Sequence, residues 1–158
     1  MRFEHSHHEE THGRVGKILG ELFDAPHLDE DNAHFYVGYG STVLEISVEP
    51  YGPEEITVEV TAYCVQGLDL NEDLLLGLLE LNHTLPVGAF SLVGKDLFFS
   101  QSIFGRSIDR KNLLGTIAAV ADVSDEYDDR IVEKYGGQTA LDRIRDTGGR
   151  RKRSAVTN

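Results

Sequence analysis

The chain has 158 residues, 40% hydrophobic and 27% charged, with a single cysteine, Cys64. That size predicts one domain with tails, able to bury a core without cross-links, and one cysteine excludes an internal disulfide or a cysteine-built metal cluster. The net charge is −12, with six Lys/Arg against two Asp in residues 141–158, leaving −16 for residues 1–140; so acidic a body opposes binding of nucleic acid by the fold itself and favours solubility and basic partners.

The opening MRFEHSHHEETH has no apolar run, and no stretch approaches membrane-spanning length, so a cytoplasmic protein is expected. His5, His7, His8 and His12 lie among Glu4, Glu9 and Glu10. Imidazole and carboxylate suit zinc, nickel or copper. Without cysteine or the H-E-x-x-H spacing they read instead as a disordered polar segment over residues 1–10, and no metal is expected.

A first helix is predicted from Thr11 to Phe23, with Val15, Ile18, Leu19, Leu22 and Phe23 forming an amphipathic stripe. Gly16 and Gly20 are spaced to admit another helix. Asp24-Ala25-Pro26 stops the run. The acidic stretch from His27 to Asn32 lacks the glycine and distant glutamate of a calcium loop and reads as a solvated loop.

Three strands follow. His34–Tyr39 and Thr42–Val48 are joined by Gly40-Ser41, a two-residue turn that sets Val37 opposite Leu44 and Phe35 opposite Ile46. Tyr36, Val43, Glu45 and Ser47 then share the outer face. Pro50 to Pro53 make a turn. Beyond it Ile56, Val58, Val60, Ala62 and Cys64 alternate with Glu55, Thr57, Glu59, Thr61 and Tyr63, the mark of a sheet with one packed and one wet face. Cys64 points inward and is expected to be an inert thiol.

Asp69 and Glu72 offer a capping box, with Asn71 an alternative cap, for a leucine-rich helix ending near His83 ahead of Pro86. Leu74, Leu75, Leu78 and Leu79 form one face; Leu76 and Leu81 widen the apolar surface. A helix apolar on more than one side has either two neighbours or full burial in its own domain. Gly94-Lys95 then turns a hairpin that pairs Phe90 with Phe99 and Leu92 with Leu97, leaving Phe98 on the outer face beside Ser91.

A long helix is predicted over Asp109–Tyr135, stopped by Gly136-Gly137. Leu113, Ile117, Val120, Tyr127 and Ile131 carry its stripe, with Ser124 in a gap. Asp122, Asp125, Glu126, Asp128, Asp129 and Glu133 suggest metal binding or acid/base work, but no histidine is near in sequence, and a solvated face with a Glu126–Arg130 pair is favoured. Residues 138–158 are expected to be a basic, mostly disordered tail. Its Arg150, Arg151, Lys152 and Arg153 offer at most weak contact with nucleic acid or an acidic surface.

The order of elements is α-β-β-β-α-β-β-α, an α+β fold with an antiparallel sheet and helices packed on one face. At this level LLLGLLELNHTLPVGAFSLVGKDLFFSQSI followed by AAVADVSDEYDDRIVEKYGG resembles the YbjN family, whose members look like the class I type III secretion chaperones in fold. The matching features are the leucine helix ending at Asn82, Leu85-Pro86 with Gly88-Ala89-Phe90 leading into a strand, and the closing helix from Ala121-Asp122 through Tyr127-Asp128-Asp129 to Gly136-Gly137. The domain spans residues 11–137. The resemblance implies a non-enzymatic, chaperone-like adaptor that binds a protein or peptide client as a homodimer without a cofactor. It makes Leu75, Leu76 and Leu79 dimer-interface candidates and Tyr36, Tyr63 and Phe98 client-surface candidates. The family is also described as a sensory or stress regulator, so a regulatory domain binding a small ligand is the alternative. A hydrolase or metal enzyme using His83 with the Asp122–Asp129 cluster ranks last, since G-x-S-x-G, H-E-x-x-H and C-x-x-C are absent.

Overall fold

The computed structural model describes residues 6–140 and 142. Its elements are α1 (Ser6–Leu22), β1 (His27–Asp29), β2 (His34–Tyr39), β3 (Thr42–Tyr51), β4 (Glu55–Gln66), α2 (Glu72–Thr84), β5 (Ala89–Val93), β6 (Asp96–Phe104), α3 (Arg110–Tyr135) and β7 (Gln138–Thr139). The sheet is antiparallel, in the order β1-β2-β3-β4-β6-β5, and β7 adds to the end of β4. The expected α+β architecture holds, as do both hairpin registers: Phe35 faces Ile46, Val37 faces Leu44, Phe90 faces Phe99 and Leu92 faces Leu97.

One sheet face carries the core. Leu44, Ile46, Val58, Val60, Ala62, Leu97 and Phe99 are fully buried against Val15 and Leu19 of α1 and Leu113, Ile117 and Val120 of α3. Each of these side chains larger than alanine contributes about 1.5–3 kcal/mol relative to exposure. Cys64 and Ser124 close the same layer, with sulfur and hydroxyl 3.3 Å apart. Burial, above all, pushes the thiol up to about 12.

Several expectations are corrected. The disordered 1–10 segment does not hold for residues 6–10, because α1 begins at Ser6. The packed stripe continues backwards through His12, Thr11 and His8, all buried. His8 Nε2–H donates to the Val48 carbonyl (2.7 Å) and His12 Nε2–H to the Ala33 carbonyl (2.9 Å). A polar stripe of this kind is invisible to hydrophobic periodicity. Gly16 meets the ring of Phe35, to which an added Cβ would come within 3.0 Å, rather than another helix.

The solvated loop at His27–Asn32 contains a three-residue strand, β1, paired to β2. Asp29 closes the turn after it, accepting from the Asp31 N–H (3.0 Å) and Asn32 Nδ2 (2.8 Å), bonds that hold its carboxyl below the usual range. β3 runs past Val48 to Tyr51 and includes Pro50. Proline is tolerated there because the β2 ladder stops at Ile46, so no neighbour on that side needs its missing N–H. The 138–158 tail is shortened by β7, whose Thr139 pairs with Val65. Arg150, Arg151, Lys152 and Arg153 lie outside the described residues.

Asn71, not Asp69, caps α2, accepting from the Leu74 N–H at 2.9 Å. The predicted leucine face splits: Leu74 and Leu78 are buried, whereas Leu75 and Leu79 are 44% and 66% exposed, as is Leu76 beside them at 53%. Asp109 caps α3 and Gly136 ends it.

Candidate functional site

The helices leave the other sheet face open, and a groove of about 470 Å³ lies across it. Its floor comes from alternate residues of three strands. Tyr36 (β2), Val43 and Glu45 (β3), and Thr61 and Tyr63 (β4) project outward because their neighbours project into the core. Phe98 of β6 joins them, directly opposite Tyr63. Their rings stack with centroids 4.9 Å apart and planes 11° apart.

Hydrogen bonds fix the floor. The Tyr63 hydroxyl donates to Asp96 Oδ2 (2.8 Å), and Asp96 Oδ1 accepts from the Gly67 N–H (3.1 Å). The Tyr36 hydroxyl donates to Glu45 Oε2 (2.8 Å), while His34 Nδ1 lies 3.0 Å from Glu45 Oε1. Burial, then the hydrogen bond to Glu45, pushes the Tyr36 phenol up to about 12, so it stays a neutral donor at physiological pH.

The groove exists because the sheet splays at one end. The β3 ladder on β4 ends at Leu44–Ala62, and β7 takes up pairing only at Val65. A bulge between Tyr63 and Val65, in the ladder of β4 with β6, falls in the same interval and bends the strand there. Through it the second half of α3 supplies a wall of Ser124, Asp125, Asp128 and Asp129, and Thr139 and Ala140 form the rim. Asp125 ties the wall to the β2–β3 turn, accepting from the Thr42 hydroxyl (2.7 Å) and the Ser41 hydroxyl (3.0 Å). Asp128 is half-buried; burial above all, then the like charges of Asp129, Asp125 and Asp142, raises its carboxyl to about 6.

All three client-surface candidates, Tyr36, Tyr63 and Phe98, therefore line one groove. The dimer candidates Leu75, Leu76 and Leu79 lie on the outward side of α2, away from it. The expectation of a solvated acidic helix face holds for Asp122, Asp125, Glu126, Asp129 and Glu133, which are exposed, and Glu126 pairs with Arg130 at 3.4 Å; Asp128 is partly buried, and with Asp125 and Asp129 it also forms the groove wall. A signal for this was present in the sequence, since Ser124 interrupts the apolar stripe beside aspartates at helical spacing. His83 is exposed near the end of α2 and does not line the groove. The Ser41 hydroxyl donates to the Asp125 carboxylate. Among the described residues no group of three or more His, Cys, Asp or Glu is arranged to hold a metal, and no helix is long and apolar enough to cross a membrane.

An antiparallel sheet with helices packed on one face is shared with solved type III secretion chaperones. A chain of the ExsC–ExsE complex superposes with a TM-score of 0.58 at 15% identity, over 75% of this chain and 94% of that one. A chain of the HopA1–SchA chaperone–effector complex gives 0.55 at 14% identity, over 72% and 88%. Residues 9–143 match the family TY-Chap1, described as type III secretion (YopN, CesT) and YbjN peptide-binding chaperone 1, and the chain belongs to that family. A comparison with curated proteins finds no match.

Proposed function

We propose that this protein is a non-enzymatic, cytoplasmic chaperone-like adaptor that holds an extended client segment in the groove of Tyr36, Tyr63 and Phe98 and acts as a homodimer through Leu75, Leu76 and Leu79. The observation that carries the reading is the groove itself, in a chain of a peptide-binding chaperone family. Three aromatic side chains from three strands converge on the one sheet face that no helix covers. Aromatic side chains offer large contact area at small entropic cost, which is why they dominate peptide-binding surfaces. A volume of about 470 Å³ admits a few client side chains but not a folded domain. The acidic wall favours a client with basic residues beside its apolar anchors.

Purification from the host with mass spectrometry names the client, and its overlapping peptides are then titrated by fluorescence anisotropy. Tyr63→Ala combined with Phe98→Ala should weaken binding at least about tenfold, or 1.4 kcal/mol. Both side chains point away from the core, so the fold should survive. Equal binding by the double variant, or no binding of any client peptide, rejects the reading. The groove volume also suits a small ligand, which keeps the alternative of a sensory regulator. That alternative requires a metabolite that raises the melting temperature of the wild type but not of the double variant.

A further inference from the structure

Asp125, Asp128 and Asp129 stand together on the groove wall, yet among the described residues no lysine or arginine pairs with any of them. The nearby cations of α3 are committed elsewhere: Arg130 to Glu126, and Lys134 to Asp73 at 2.9 Å. Residues 143–158 carry six Lys/Arg and one Asp, against a net −17 for residues 1–142. The described chain also ends at this place. Thr139 and Ala140 form the groove rim, and Asp142 is turned back onto Thr139, its N–H donating to the threonine hydroxyl at 3.2 Å.

We propose that the chain's own basic segment, centred on Arg150, Arg151, Lys152 and Arg153, docks in this groove as an internal pseudo-client. Arg150 lies eight residue steps beyond Asp142, a span of up to roughly 26–29 Å when extended, so the segment reaches the groove without strain. The walls offer carboxylates to guanidinium groups, and the stacked Tyr63–Phe98 pair offers a ring face. A tether this short sets an effective concentration on the order of millimolar. A contact with a free Kd near 1 mM therefore occupies the groove about half the time. A client must displace the segment, which screens the groove against weak, non-basic peptides. That regulatory consequence rests on the proposed function; the docking does not.

The test uses the full chain and no client. Amide NMR spectra of the wild type are compared with those of a variant in which Arg150, Arg151, Lys152 and Arg153 are all serine. Docking predicts shift changes concentrated at Ser41, Thr42, Val43, Thr61, Tyr63 and Phe98, unchanged over a tenfold dilution and abolished by about 0.5 M salt. Adding Asp128→Asn and Asp129→Asn to the wild type should remove the same differences. No change at the groove, changes spread over the rest of the acidic surface, or changes that vanish on dilution would each overturn the proposal; the last would mean docking between molecules. If docking holds, client peptides should bind the serine variant about twofold or more tightly. Docking without client binding would reject the proposed function and leave the internal contact standing.

Discussion

At the scale of single residues, the fold tolerates costly groups where they build the groove. Asp128 is the clearest case. Its carboxyl is raised to about 6, so between roughly pH 4 and 6 the folded chain holds a proton that the unfolded chain has released. Stability contributed by this group therefore falls as pH rises through that window, and the full penalty stands above about 6. Asp128→Asn should match the wild type near pH 4 and exceed it at pH 7.5 by at least about 2 °C in Tm, the shift that 1 kcal/mol produces in a chain of this size. Thermal melts at the two pH values decide it: a variant less stable at pH 7.5 would show that the carboxylate is compensated in the fold. Gly88 shows the opposite economy of space. It sits at φ +70, and a Cβ there would lie 2.4 Å from the buried Phe99 ring, so the lead into β5 has room for no other residue.

At the scale of elements, the open edge of the sheet is managed by one side chain. β5 is the last strand, and the Phe90 groups facing away from β6 would otherwise be unpaired. Asn82, in the last turn of α2, takes both: its Oδ1 accepts from the Phe90 N–H (2.7 Å) and its Nδ2 donates to the Phe90 carbonyl (3.0 Å). The amide thus stands in for a strand neighbour and fixes α2 to the sheet. Asn82→Ala removes both bonds beside a buried phenylalanine and should cost about 1–3 kcal/mol in urea unfolding. A loss below about 0.5 kcal/mol would mean that water replaces the amide without penalty. The sequence places Asn82 at the end of the leucine helix, but only the folded chain shows what its side chain grips.

At the scale of the whole molecule, two surfaces point in different directions. The groove lies on the bare sheet face, and Leu75, Leu76 and Leu79 lie on the outward side of α2. Two candidate surfaces on separate elements suit the proposed dimer, which would keep its grooves available. Replacing the three leucines by serine should turn a dimer into a monomer in light-scattering chromatography at micromolar concentration, with helix content by circular dichroism unchanged, since Leu74 and Leu78 keep α2 docked. A wild type that is already monomeric would reject the dimer.

Apart from the short strands β1 and β7, the sequence by itself determined the order of the three helices and the five longer strands, both hairpin registers, the inward set of β4 and the long closing helix. Each is local: alternation and turn length fix which side chains share a face within a few residues. It also placed Tyr36, Tyr63 and Phe98 on the outer face for the same reason. Only the tertiary structure decided that Phe98 joins Tyr63 and Tyr36 in one groove, since β4 pairs with β6 across the whole of α2 and β5, and that Asp125, Asp128 and Asp129 wall that groove. It decided too which leucines of α2 are covered, and that His8 and His12 belong to a packed stripe. Periodicity reports the faces of an element but not what meets them, and a buried polar group is justified by a partner that lies elsewhere in the chain.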